Sequence, residues 1–151
     1  PLWSRGLGDV YKRQDLGLAK KQSSENPVYY VQYGHARMAS ILRTAAERGI
    51  TYDTADLSLL VHNRELELIK KIIELPAIVE RSAERNEPHH LPHYAMELSR
   101  SLQRFYEHCR VVSSEKSDLE ISRARLQLVE AAKIALSRTL TLMGMSSPDR
   151  M

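Results

Sequence analysis

Apolar residues recur along this chain at intervals of three and four, the repeat of an amphipathic helix, without the alternation that marks a strand. The first such stretch opens at Asn26-Pro27. Proline suits a first helical turn, where its missing N–H would have no partner anyway. Val31, Met38, Ile41, Leu42 and Ala45 form the apolar stripe of this helix. Tyr30, Tyr33, Arg37 and Thr44 form a second stripe, aromatic and cationic. Arg48-Gly49 predicts the end, because glycine is favoured just past a last turn. Residues 50–60 read as a connector, with Asp53 and Asp56 as turn or capping residues. A second helix is predicted over 63–74, burying Leu66, Ile69 and Ile73 with Leu68 and Ile72 beside them. Pro76 should interrupt it, since an interior proline removes one hydrogen bond and clashes with the preceding turn.

A short third helix over 76–85 carries Ile78, Val79 and Ala83, and Glu87-Pro88 closes it. The fourth has the most regular seam: Leu91, Ala95, Leu98, Leu102, Phe105 and Cys109 alternate at four and three. After a polar loop over 113–117, Ser117 and Glu120 have the spacing of a capping box, which predicts the start of a last helix. That helix points Leu128, Ala132, Ala135, Leu136, Leu140 and Met143 inward, ends at Gly144 and is kept from resuming by Pro148. The pattern predicts an all-α fold, an antiparallel helical bundle.

Composition adds bounds. A chain of 151 residues suits one domain and can bury roughly 68–70% of its unfolded surface. Its 42% hydrophobic and 27% charged residues are ordinary globular values. No apolar run approaches the roughly 20 residues a membrane helix needs. With Cys109 as the only cysteine no intrachain disulfide can form, and a reducing, cytoplasmic location is expected. The net charge of +3 is partly a property of residues 1–14, which carry Arg5, Lys12, Arg13 and Asp9. That segment lacks helical periodicity, begins without methionine, and its Asp9-Val10-Tyr11-Lys12-Arg13-Gln14 looks like a translated sequencing adaptor. Residues 1–14 are therefore expected to be an artefact joined to a truncated coding sequence. Without them acidic and basic residues nearly balance, so any claim of nucleic-acid binding must rest on a local patch.

Candidate chemistry is sparse. His89, His90 and His93 cluster at a helix start, and His89 and His93 lie one turn apart. Two imidazoles at that spacing can hold zinc, but a site needs more ligands, and neither HExxH nor a cysteine pair is present. No metal site is expected, and His89 is assigned to the helix entrance, where N–H groups need partners. Cys109 points inward on its seam, where a buried thiol is inert. There is no phosphate-cradling GxxxxGK[ST] or GxGxxG. The Tyr30/Tyr33/Arg37 stripe remains: either its rings pack with hydroxyls at the surface, or it meets a planar or anionic partner.

The run NPVYYVQYGHAR, residues 26–37, resembles the NPVYYVQYAHAR segment of bacterial arginyl-tRNA synthetases and differs from it only at Gly34. Residues 15–25 are similar to that family's approach to this segment. Pro88-His89, Tyr94, Phe105-Tyr106, Cys109-Arg110-Val111, Arg123-x-x-Leu126, and Leu142 with Gly144, Pro148 and Met151 resemble its C-terminal anticodon-binding (DALR) domain. The likeness covers roughly residues 15–151. It implies a remnant of the catalytic-core junction over 15–25, a helical class I synthetase anticodon-binding domain over 26–151, and an authentic C-terminus at Met151. The HIGH and KMSKS motifs of the catalytic core are absent, so this segment is expected to be inactive, with no catalytic residue and no cofactor of its own. ATP and Mg belong to the full-length enzyme.

The resemblance further implies an arginine tRNA as partner, read at its anticodon loop, together with the missing catalytic domain, in a monomer with no membrane contact. Unpaired bases are recognised by stacking on rings and guanidinium planes, and by hydrogen bonds to their edges. The residues expected to bind tRNA are Tyr30, Tyr33, Arg37, Tyr106, Arg123, Arg125 and Met151. Arginine anticodons share a central cytosine, which is the expected specific contact. Two other readings stand beside this one: a free-standing helical RNA-binding module, and a helical protein-interaction domain whose Tyr/Arg face is a hot spot.

Overall fold

A computed structural model describes residues 16–151 apart from Ser114 and the side chain of Lys116. The expected adaptor over 1–14, and Asp15 at the head of the expected junction remnant, lie outside the described residues. The helices are α1 (Leu16–Lys20), α2 (Pro27–Glu47), α3 (Asn63–Ile73), α4 (Leu75–Arg85), α5 (His90–His108) and α6 (Leu119–Leu142), with single 3₁₀ turns at Leu57–Leu59 and Lys116–Asp118. No strand occurs among the described residues, and no helix there is long and apolar enough to cross a membrane.

Asn26 organises the first turn. Its Oδ1 accepts from the Val28 N–H at 3.1 Å, capping α2. Its amide nitrogen donates to the carbonyls of Ala19 and Lys21, tying α1, which buries no residue of its own, to the bundle. Pro27 takes the first helical position, as its chemistry predicts. Glu74 alone separates α3 from α4, and Pro76 lies in the first turn of α4.

Cross-helix bonds set the directions. Arg123, early in α6, meets Thr51 just past α2, while Leu136, late in α6, lies beside Gly34, so α2 and α6 run antiparallel. Tyr94 meets Lys71 and Cys109 meets His62, so α3 and α5 are antiparallel as well. The long helices thus alternate in direction along the chain, and α5 packs against α2, α3, α4 and α6. Its predicted seam from Leu91 to Cys109 is buried throughout. Met38 of α2 and Leu126, Leu136 and Leu140 of α6 complete the centre with no exposed surface.

Three details of the expected pattern are corrected. On α3, Leu66 and Ile73 are exposed (41% and 68%), whereas Leu68 and Glu65 have no exposed surface. The inward face is rotated because a carboxylate, not a hydrocarbon, holds its first position. Glu65 Oε2 accepts from the His62 N–H at 2.9 Å, while His62 Nδ1 accepts from the Arg64 N–H at 3.1 Å, so this pair forms the capping box of α3. Glu65 Oε1 accepts from Arg125 Nε at 2.7 Å, and Arg125 also donates to the Arg110 carbonyl at 2.9 Å. On α4, Ala83 is exposed and Ser82 is turned inward, its hydroxyl bonded to the Ile78 carbonyl. At α6 the expected Ser117/Glu120 capping box does not form. Asp118 is the N-cap and makes no side-chain capping bond; its carboxylate instead accepts from Ser113 and Ser117, and Glu120 pairs with Arg123.

Gly144 takes a left-handed conformation (φ 70°) that ends α6. The Met145 N–H reaches back to the Leu140 carbonyl at 2.9 Å, and the tail turns onto α2.

Arg125→Met should cost about 3–5 kcal/mol of stability in urea unfolding, because it strands a buried carboxylate. Gly34→Ala should act oppositely. A methyl there would meet Ser99 Oγ at 3.6 Å and Leu136 Cδ2 at 3.7 Å, ordinary contacts. A gain of about 0.5–1 kcal/mol, read as a higher Tm, follows from relieving a mid-helix glycine.

Candidate nucleic-acid interface

The two stripes predicted for α2 separate at Tyr33 and Arg37 but not at Tyr30, which packs against the core. One packs on α5 and α6; the other carries Tyr33, 46% exposed, and the exposed Arg37. Tyr29, one turn before Tyr33, lies nearly parallel to it, with ring centroids 6.2 Å apart and planes inclined at 12°. Tyr30 is half-buried against the core. The Arg37 guanidinium sits 4.8 Å from the centroid of the Tyr106 ring on α5 and donates to Gln103 Oε1 at 2.9 Å. This cation–π contact and one hydrogen bond hold a flat cation in place at the surface.

Tyr106 is less a surface ring than a floor. It packs against Phe105 and the core, and its hydroxyl is buried with no hydrogen-bond partner among the described residues. Burial pushes its phenol well above the usual tyrosine range, with Arg37 opposing weakly, so it stays protonated under all ordinary conditions. Tyr30, Tyr33, Arg37 and Tyr106 do converge, on a crevice of about 20 Å³. That is room for about one water molecule, so no base enters it.

The usable space lies beside it. Tyr33, Arg37, Arg43, Arg150 and Met151 border a hollow of about 390 Å³, which the tail helps to wall. The tail is pinned along α2. Gln32 donates to the Ser146 carbonyl at 3.0 Å, and Arg43 to the Asp149 carbonyl at 3.2 Å. Buried His35 presents Nδ1 to the Pro148 carbonyl at 2.9 Å, and since a carbonyl only accepts, Nδ1 carries the proton. Lys133 of α6 binds the Asp149 carboxylate at 3.1 Å and is the main cause of its lowered pKa, with His35 and Arg43 adding to it. The hollow therefore has three arginines at its edge and one acidic side chain already paired.

Of the residues expected from sequence, Tyr33, Arg37 and Met151 share this hollow; Tyr30 and Tyr106 line only the neighbouring crevice. Arg123 and Arg125 lie elsewhere and have intramolecular partners. Arg123 bonds the carbonyl and hydroxyl of Thr51, and Arg125 bonds Glu65 and the Arg110 carbonyl. Sequence reasoning missed Tyr29, Arg43 and Arg150. Tyr29 stands four residues from Tyr33, a spacing that marks a shared face. Nothing in the linear pattern brings Arg150 to α2; only the turn at Gly144 does. Two histidine and cysteine readings also meet the structure here. His89 occupies the N-cap of α5 but makes no side-chain capping bond, which corrects its assignment to that task. Cys109 is buried, and burial raises its thiol pKa.

Residues 31–151 match the family model of the DALR anticodon binding domain. An arginine–tRNA ligase of Dehalococcoides mccartyi (strain CBDB1) is 56% identical over 137 residues, which cover 91% of this chain and 24% of that protein. An arginine–tRNA ligase of Heliobacterium modesticaldum is 47% identical over 150 residues, covering 95% of this chain and 26% of that protein. The solved arginyl-tRNA synthetase of Thermus thermophilus superposes with a TM-score of 0.74 at 29% identity, over 85% of this chain and 22% of that one. The chain thus spans about a quarter of the length of the curated relatives it matches.

Tyr106→Phe removes a buried hydroxyl that has no partner among the described residues. Stability should rise by about 1 kcal/mol in thermal or urea unfolding, the scale of an unmet buried donor. A loss of that size would show that the hydroxyl is bonded in solution.

Proposed function

The chain belongs to the DALR anticodon binding domain family, and from that membership we propose that it grips the anticodon loop of an arginine tRNA as the C-terminal part of an arginine–tRNA ligase. The whole protein would attach arginine to tRNA at the expense of ATP with Mg, in the cytoplasm. This chain would supply docking alone and be inactive in aminoacylation. One observation carries the reading: an exposed, ring-stacked Tyr33 stands beside a hollow edged by Arg37, Arg43 and Arg150.

Each part has a task in holding unpaired RNA. Tyr33, backed by Tyr29, offers a ring face for one base, and each stacked base is worth about 1–3 kcal/mol. Arg37 offers a second flat surface whose orientation Tyr106 and Gln103 have already set, which lowers the ordering cost of binding. Arg43 and Arg150 line the hollow and would contact backbone phosphates there. Met151 supplies an apolar wall. Tyr106 acts indirectly by supporting Arg37, and Tyr30 by packing α2 against the core. We assign Arg123 and Arg125 to bracing the helices, because they lie away from the hollow and their bonds tie α6 to Thr51, Glu65 and the Arg110 carbonyl.

The chain should bind an arginine tRNA at least about 10-fold more tightly than the same tRNA with its central anticodon cytosine changed. Tyr33→Ala should weaken the cognate complex by about 5- to 150-fold, the span of one lost stack, with circular dichroism unchanged. Equal affinity for the two tRNAs contradicts anticodon recognition at this face.

A further inference from the structure

The turn between α4 and α5 gathers a second set of chemically capable side chains, none of which lines the aromatic hollow. Asn86 adopts a left-handed conformation (φ 53°), and the Glu87 N–H returns to the Ser82 carbonyl at 3.0 Å, closing α4. The Leu91 N–H then bonds the Pro88 carbonyl at 3.1 Å as α5 begins. Glu87, His89 and His90 therefore project from backbone held on both sides. Glu87 Oε2 lies 2.9 Å from His90 Nε2. The His89 and His90 rings have centroids 4.3 Å apart, and His93 stands edge-on to His89 at 6.4 Å. One donor atom from each of Glu87, His89 and His90 falls within 4.8 Å of the others.

We propose that Glu87, His89 and His90 form a zinc-class divalent metal site, with the fourth position open to water on the solvent side. Two imidazoles and a carboxylate match the nitrogen and oxygen donors zinc takes at about 2.0–2.2 Å. Magnesium and calcium require nearly all-oxygen shells and are disfavoured here. Two donors on a tetrahedral ion of that radius stand roughly 3.4 Å apart, so modest side-chain rotation brings the set to bonding distance without moving the turn. His89 is available for the role because it makes no capping bond. The sequence showed only the imidazoles; the left-handed turn at Asn86 brings the third ligand, Glu87, back to them. A bound ion would replace the Glu87–His90 hydrogen bond and lock the end of α4 to the start of α5.

Calorimetric titration of the metal-free chain with zinc tests this directly. The expected result is one ion per chain with a micromolar Kd, weakened at least about 10-fold by either Glu87→Gln or His89→Ala and unaffected by His108→Ala. Zinc should also shift the His89 and His90 ring resonances of the unaltered chain, a reading that does not depend on the variants folding. Binding of equal strength in His89→Ala, weakening by His108→Ala to the same degree, or unshifted His89 and His90 resonances each overturns the proposal.

Discussion

A carboxylate with no exposed surface stands at the head of α3, and much of the architecture follows from how Glu65 is satisfied. One of its oxygens caps its own helix and the other takes the Arg125 guanidinium. Arg125 in turn holds the carbonyl just past α5. One charged pair therefore joins the start of α3, the end of α5 and the start of α6. A buried charge is costly unless it is paired and hydrogen-bonded; Glu65 takes one bond at each oxygen, and the partly exposed Arg125 also donates to a backbone carbonyl. The cluster fixes the end of the bundle at which Cys109, Phe105 and Leu126 pack. It also withdraws Arg125 from the charges free to meet a ligand.

With that end braced, α2 is left to serve two purposes. Its apolar stripe closes the core through Val31, Met38 and Ala45, while the opposite stripe carries rings and a guanidinium to the surface. Tyr106 couples the two roles, since its ring belongs to the α5 packing and also supports Arg37. The tail completes the surface by folding back along α2 under polar contacts from Gln32, His35, Arg43 and Lys133. A cationic hollow results from two segments far apart in sequence, the exposed stripe of α2 and the folded-back tail.

How much of this was legible beforehand differs from residue to residue. The seam of α5 was readable because its six inward residues are all apolar and keep helical spacing without interruption. The breaks at Gly49, Pro76 and Gly144 were readable because glycine and proline act locally. The face of α3 was not, since the rule that charges point outward fails for a glutamate with a partner at each oxygen. Its capping box was hidden for a related reason: the acceptor is a histidine ring nitrogen rather than a hydroxyl or carboxylate. On the aromatic face Tyr33 and Arg37 could be named from spacing and resemblance. The burial of Tyr106 and the arrival of Arg150 are tertiary facts with no linear signature.

The claim on which the functional account turns is that unpaired bases settle against Tyr33 and Arg37 beneath the folded-back tail. A crystal structure of the chain with an anticodon stem-loop of an arginine tRNA examines it most directly. The account predicts a base stacked on Tyr33, with neighbouring phosphates near Arg43 and Arg150 and the Glu65–Arg125 pair intact. A loop bound instead along Arg123 and Arg125, with the hollow beside Tyr33 vacant, would contradict it.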